Sequence, residues 1–176
     1  MITLSEGPVD AIEVLDPLCA ACRGFEERLA ASTLGPELGR RGLLFPLDAK
    51  CNWMVSSSMH PGACSVSEAI LCAPDSAREI LAWSFENQDA IMEAERAREG
   101  AAAEMVGAQF PAVQACVGSP DARTALHRGL RWAVQNEIPV LTPQLFVEGT
   151  KLCNEDTDLG LEYVLSRMIA NAKGAP

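Results

Sequence analysis

The sequence predicts an α/β fold on three observations. The apolar, partly β-branched stretch Ala11-Ile12-Glu13-Val14-Leu15 runs through Asp16-Pro17-Leu18 into Cys19-Ala20-Ala21-Cys22, where a helical pattern begins. A long helix-forming block, about 65–137, separates a second apolar run from two short stretches joined by Glu148-Gly149. A last segment carries Leu161, Val164, Leu165, Met168 and Ile169 on one helical face. The expected order is strand, helix, strand, helical block, hairpin, helix, within a single domain spanning 1–176.

Each element has its own local signal. Residues 11–15 suit a strand buried on both faces. After the cysteines, Phe25 and Leu29 fall at helical spacing. The glycines and proline between Thr33 and Gly42 break any helix and read as a connection. Leu43-Leu44-Phe45-Pro46-Leu47 is the expected second strand, with Pro46 marking its end or a sheet edge. Val66, Ala69, Ile70 and Ala73 repeat at i, i+3, i+4, i+7, and Ser76-Ala77-Arg78-Glu79 has capping-box spacing. Glu93 to Glu104 is rich in good helix formers and reads as one helix that closes at Met105 and Val106, before Gly107. Ser119-Pro120 starts a helix with Ala122, Ala125, Leu126, Gly129, Leu130 and Ala133 along one stripe. Glu148-Gly149 is a two-residue hairpin signal.

Composition narrows the function. With 14 basic and 24 acidic residues the net charge is −10, which argues against a nucleic-acid partner or an anionic membrane surface. No apolar run approaches a membrane span, and the Met-Ile-Thr-Leu start lacks the regions of a signal peptide. That start fits a cytosolic protein or a soluble piece cut from a longer, membrane-anchored precursor. Seven cysteines tilt the expectation toward an oxidising compartment, and the odd number leaves at least one thiol over or paired between molecules.

Cys19 and Cys22 carry the chemistry. A strand that ends in C-x-x-C and continues as a helix puts the first cysteine where backbone N–H groups are unpaired and the helix dipole is positive. Such a site favours thiolate over thiol, so Cys19 is expected to be the nucleophile and Cys22, one turn on and less exposed, its disulfide partner.

The segments Phe85-Glu86-Asn87-Gln88, Ala115-Cys116-Val117-Gly118-Ser119-Pro120 and Thr142-Pro143-Gln144-Leu145-Phe146-Val147-Glu148-Gly149 follow the C-x-x-C in order. Over nearly the whole chain this resembles the DsbA family, a thioredoxin-like fold with a helical insertion between the second strand and the C-terminal hairpin. Phe45-Pro46-Leu47-Asp48, Cys51-Asn52 and His60-Pro61-Gly62-Ala63-Cys64 are further similar to the thioredoxin-like domains fused to bacterial vitamin K epoxide reductase homologues. The resemblance implies a thiol–disulfide oxidoreductase acting on substrate proteins, periplasmic or otherwise extracytoplasmic, needing no cofactor beyond its cysteines. It also implies recycling by a membrane quinone-linked reductase homologue. A monomer is expected, with no dimerisation segment visible.

The same resemblance implies that Pro143 is a cis-proline facing the dithiol, with Thr142 offering its backbone to an extended substrate. The alternative is an ordinary trans-proline at a strand start. It further implies that Glu13 is an acidic group beneath the dithiol able to take the Cys22 proton; a strand-end carboxylate facing water is the rival reading. Because Ala20-Ala21 lacks the histidine of strongly oxidising relatives, the direction of exchange stays open, and a disulfide isomerase or reductase is the alternative.

Cys51 and Cys64 read as a structural disulfide, with zinc on Cys51, His60, Cys64 and the C-x-x-C as the rival and a non-catalytic binding module as its consequence. His60 is expected to be a loop residue and His127 a surface or boundary side chain. Trp53, Trp83 and Trp132 are expected in the core or lining a groove. Cys72 and Cys116 could pair, leaving Cys153 free, or all three could be small buried hydrophobes.

Overall fold

The computed structural model describes residues 1–158 and 160–174. The strands are β1 (Ile2–Thr3), β2 (Val9–Leu15), β3 (Leu38–Leu44), β4 (Gln144–Val147) and β5 (Thr150–Lys151). The helices are α1 (Ala20–Ala31), α2 (Ala63–Cys72), α3 (Ala77–Glu86), α4 (Gln88–Ala97), α5 (Ala101–Gln109), α6 (Pro120–Gln135) and α7 (Leu161–Ala172). The strands form one sheet in the order β1-β3-β2-β4-β5, with β2 parallel to β3 and the other neighbours antiparallel.

β2 is the middle strand, which explains its apolar sequence: both edges are hydrogen-bonded and both faces are covered. On one face Val9 and Ala11 pack with Phe25 and Leu29 of α1 and Leu161, Leu165 and Ile169 of α7. On the other, Val14 and Leu43 pack with the helical block through Val66, Ile70, Leu126 and Leu130. The block, α2 to α6, falls between β3 and β4, and α2 is its centre, touching α3, α5 and α6.

The structure corrects several element boundaries. β2 starts at Val9 rather than Ala11, and β3 spans Leu38–Leu44 rather than 43–47. Leu38-Gly39-Arg40-Arg41-Gly42 is therefore strand, not connection. Its polar look comes from arginines with tertiary partners, Arg40 on Glu13 and Glu26 and Arg41 on Asp10. Gly42 leaves room for Ile2 and Leu4, since a Cβ there would come within 3.0 Å of Ile2. Ser76 precedes α3 but makes no side-chain cap, so the capping box does not form. The single helix expected over Glu93–Glu104 is two. Arg98 is extended, Gly100 takes φ 87°, and the Glu95 carboxylate accepts from Gly100 N (3.1 Å) and Ala102 N (2.9 Å) at the start of α5. That helix then runs through Gly107 to Gln109.

Two other signals act as expected. Ser119 Oγ accepts from Ala122 N at the start of α6. Glu148 and Gly149 both have positive φ, 47° and 76°, as a two-residue hairpin turn requires.

Residues 45–62 form neither helix nor strand, yet they are held firmly. Asp48, fully buried, accepts from Lys50 N, Ser58 Oγ and Gly62 N. Asn52 Nδ2 donates to Pro46 O at 2.8 Å. Cys51 and Cys64 are joined, fastening this loop to α2, and Cys72 and Cys116 are joined, tying the end of α2 to the turn before α6. Cys153 is an exposed free thiol.

The two disulfides close loops of different length, with cysteines 13 and 44 residues apart. Chain entropy then gives about 3 kcal/mol for the shorter and about 4 kcal/mol for the longer. Paired alanine substitutions, compared by denaturant unfolding, should cost more at Cys72/Cys116 than at Cys51/Cys64; the reverse order would contradict this.

Candidate active site

β2 ends at Leu15, and the chain turns through Asp16-Pro17-Leu18 into α1 with Cys19 as the N-cap residue, extended at φ −86°, ψ 118°. No side chain caps this helix. Its first-turn N–H groups therefore face the position of the Cys19 sulfur. Asp16 shapes the turn: Oδ1 accepts from Leu18 N (2.7 Å) and its carbonyl from Cys19 N (3.1 Å). The helical block holds the turn from the other side. Ser84 Oγ and Gln88 Nε2 both donate to Pro17 O at 3.3 Å.

Cys19 and Cys22 are both free thiols, 6% and 0% exposed. Cys19 Sγ lies 3.8 Å from Thr142 O, and the Thr142–Pro143 peptide bond is cis. Gln144 Nε2 steadies this loop by donating to Pro139 O (3.0 Å) and Leu141 O (2.6 Å). The structure thus brings Cys19, Cys22, Thr142 and Pro143 together across more than a hundred residues of sequence.

The electrostatics divide the two cysteines. The hydrogen bond from Cys22 lowers the Cys19 pKa to about 6; burial opposes it, and contacts from Thr142 and the Cys22 backbone N–H add to it. The Thr142 hydroxyl is buried with no other partner, so its proton is available to a Cys19 thiolate. Burial pushes the Cys22 pKa well up, and the hydrogen bond to Cys19 and the charge on that sulfur push it further.

Glu13 lies mid-strand in β2, opposite Gly42 on β3 and Leu145 on β4, and is 0% exposed. The reading that turned it toward water is therefore incorrect. Arg40 Nη1 donates to Glu13 Oε2 at 2.6 Å and also bonds Glu26 of α1. Burial raises the Glu13 pKa well above the usual carboxylate range; the Glu26 charge adds to this and Arg40 opposes it. Glu13 Oε1 has no hydrogen-bond partner. Because Glu26 follows Cys22 by four residues on α1, the two lie on one helix face above this cluster.

The zinc reading does not fit: Cys51 and Cys64 are bonded to each other, and among the described residues no cluster has metal-ligating form. His60 lies in a loop, as expected, but it has a buried partner there. Its Nδ1 lies 2.7 Å from Asp16 Oδ2, which also accepts from Leu47 N at 2.6 Å. Asp16 and His60 are the site residues the sequence reasoning missed. The signal for Asp16 was its place just before Pro17, at the end of a buried strand. Trp53 is 53% exposed and meets His127 edge-on at 5.5 Å. Both line a surface cleft of about 610 Å³ beside the Cys51–Cys64 disulfide, apart from the dithiol.

Thiolate absorbance of the reduced protein should show one step centred near pH 6, from Cys19, and none from Cys22 until well above 9. The Cys19→Ser variant should lose the low step. A step near 6 that survives this substitution would refute the division of roles.

No family model matches the chain, and no curated protein matches it. Among solved structures it is similar to alpha-DsbA1 of Wolbachia pipientis, with a TM-score of 0.71 at 12% identity over 98% of this chain and 92% of that one. Reduced DsbA1 of Neisseria meningitidis gives 0.62 at 16% identity over 99% and 92%. The oxidoreductase DsbA of Xylella fastidiosa gives 0.58 at 18% identity over 93% and 88%. The sheet order, the place of the helical block and these likenesses together give the chain a DsbA-like, thioredoxin-like α/β fold.

Proposed function

We propose that the protein is a thiol–disulfide oxidoreductase that exchanges disulfides with substrate proteins through Cys19 and Cys22. The observation that carries this is a pair of adjacent free cysteines of opposite character, one at a helix mouth and lowered to about 6, the other buried and raised. The DsbA-like fold supports it.

In the reductive direction the Cys19 thiolate attacks one sulfur of a substrate disulfide. A Cys19–substrate bond forms, the substrate S–S bond breaks, and one substrate thiolate leaves. Cys22 then gives up its proton and attacks Cys19 Sγ, closing the Cys19–Cys22 disulfide and expelling the second substrate thiolate. The oxidative direction reverses each step. Glu13 is the proton acceptor for Cys22 in this scheme, since its raised pKa and unpartnered Oε1 suit it to hold a proton beneath the dithiol.

Thr142, next to Pro143, presents its backbone to an extended segment of the client protein. Met59, Val140 and Leu141, which adjoin His60 and Thr142 in sequence, are exposed and give the rim an apolar character suited to unfolded chains.

Two disulfides outside the dithiol support an extracytoplasmic location, where a membrane quinone-linked homologue of vitamin K epoxide reductase would recycle the pair. The unit is read as one monomeric domain with its insertion over about 65–137. One observation favours a reductase or isomerase: a Cys19 pKa of about 6 is closer to the value of about 7 in thioredoxin than to about 3.5 in DsbA.

The test is covalent trapping with reduced client proteins in the presence of oxidised glutathione. Cys22→Ser should accumulate Cys19-linked mixed disulfides, and Cys19→Ser should not. Equal trapping by both would sink the assignment. In single-turnover exchange, Glu13→Gln should slow release of the mixed disulfide by about tenfold or more at neutral pH, with the first attack unchanged; an unaltered release rate would remove Glu13 from the scheme.

A further inference from the structure

Asp16 touches the dithiol more closely than any role given so far explains. Its backbone N donates to Cys22 Sγ at 3.5 Å and its carbonyl accepts from Cys19 N at 3.1 Å. Its side chain is 0% exposed, and both carboxylate oxygens are used, by Leu18 N and by Leu47 N with His60. A buried negative charge here works against a thiolate at either cysteine: the Asp16 charge pushes the Cys19 pKa up, and at Cys22 it opposes the stronger lowering by the Asp16 backbone N–H. A site that favours a Cys19 thiolate needs that charge offset. Ala20-Ala21 supplies no cation, and the imidazole bonded to Asp16 does when protonated.

The loop positions this imidazole closely. Met59 N and His60 N both donate to Leu47 O, at 2.9 and 3.2 Å, and His60 O accepts from Ala63 N at the start of α2. Gly62 takes φ 94° there, a conformation that favours glycine. The acidic groups acting on His60 come from three directions: Asp16 from the turn after β2, Cys19 from the mouth of α1, and Asp48 from its own loop. Lys50, in the same loop as His60, is paired with Glu95 and Glu99, and Arg40 of β3 with Glu13 and Glu26.

Resting on the oxidoreductase reading, we propose that His60, seated on Asp16, is a redox-linked proton site: it holds a proton while Cys19 is a thiolate and yields it when Cys19 and Cys22 join. The step balances. A reduced site with Cys19 thiolate, Cys22 thiol and His60 imidazolium meets a substrate disulfide. It becomes the Cys19–Cys22 disulfide with neutral His60, and the two protons leave on two substrate thiols. Burial disfavours the imidazolium, but the Asp16 hydrogen bond and charge, then the Cys19 thiolate and Asp48, outweigh it and raise the His60 pKa. Removing the thiolate removes one of those supports. Linkage is reciprocal, so protonated His60 must favour the Cys19 thiolate by the same free energy. Exchange toward the reduced dithiol is therefore favoured further below the His60 midpoint than above it.

The unmodified protein provides the test. The imidazole ring protons are titrated by NMR in the reduced and the oxidised states, and the His60 signal is identified by its absence from His60→Gln; the chain has two histidines. The His60 proton affinity should be about threefold to tenfold higher in the reduced state. The reciprocal readout is the Cys19 thiolate midpoint, which His60→Gln should raise by a matching factor. Equal His60 midpoints in both redox states, with the dithiol still cycling against glutathione, would overturn this proposal and leave the oxidoreductase reading standing. Failure of oxidised glutathione to form any Cys19–Cys22 disulfide would overturn both.

Discussion

A sulfur anion held at the open start of α1 is the constraint on which the rest of the site depends. Burial disfavours any charge on Cys19, so its thiolate exists only because specific donors surround it: the Cys22 thiol, the Cys22 backbone N–H and the Thr142 hydroxyl. Each donor comes from a different level of structure. Cys22 follows from helical spacing, the N–H from leaving α1 uncapped, and Thr142 from a loop on the far side of the helical block. β2 is what makes these meet. As the middle strand it aims the turn at Asp16 with little freedom, and β4 beside it returns the Thr142–Pro143 loop to the same end of the sheet.

Two buried carboxylates, Asp16 in the turn that carries the dithiol and Glu13 in the strand before it, are held differently. Asp16 has both oxygens hydrogen-bonded, to two backbone N–H groups and to His60, which satisfies it as an anion. Glu13 has one oxygen on Arg40 and one with no partner, and its burial raises its pKa well above the usual carboxylate range. In the proposed scheme one carboxylate carries a charge with a movable counter-proton on His60, and the other takes the proton of Cys22. This division gives physical content to the proposed exchange in both directions. Under that proposal a C-x-x-C with an Ala-Ala dipeptide has its thiolate tuned from a loop more than thirty residues downstream of the cysteines.

The dithiol and the fold class were legible because their signals are local. A strand running into C-x-x-C, Ser119-Pro120 opening α6 and Glu148-Gly149 closing a hairpin each act over a few residues, and backbone physics reads them the same way in any context. Tertiary partnership was not legible. The glycines and proline between Thr33 and Gly42 made β3 look like a connection, and only the fold supplies Glu13, Glu26 and Asp10 as partners for its Arg40 and Arg41. The helix expected over Glu93–Glu104 breaks because the Glu95 carboxylate turns back to the start of α5, which helix propensity cannot register. His60 could be placed only with the fold in hand, since nothing within its own loop points to Asp16. Glu13 lay between the two cases: its position was visible, and its burial required β3 and β4 on either side.

The reduction potential of the Cys19–Cys22 pair, measured by equilibration with glutathione at pH 7, tests the held thiolate most directly. A Cys19 pKa near 6 stabilises the reduced form beyond that of thioredoxin and short of that of DsbA. The potential should therefore lie between about −270 and −120 mV, nearer the lower figure. A potential at or below about −270 mV would mean that the mouth of α1 gives Cys19 no added stabilisation, and would contradict the arrangement of donors described for it.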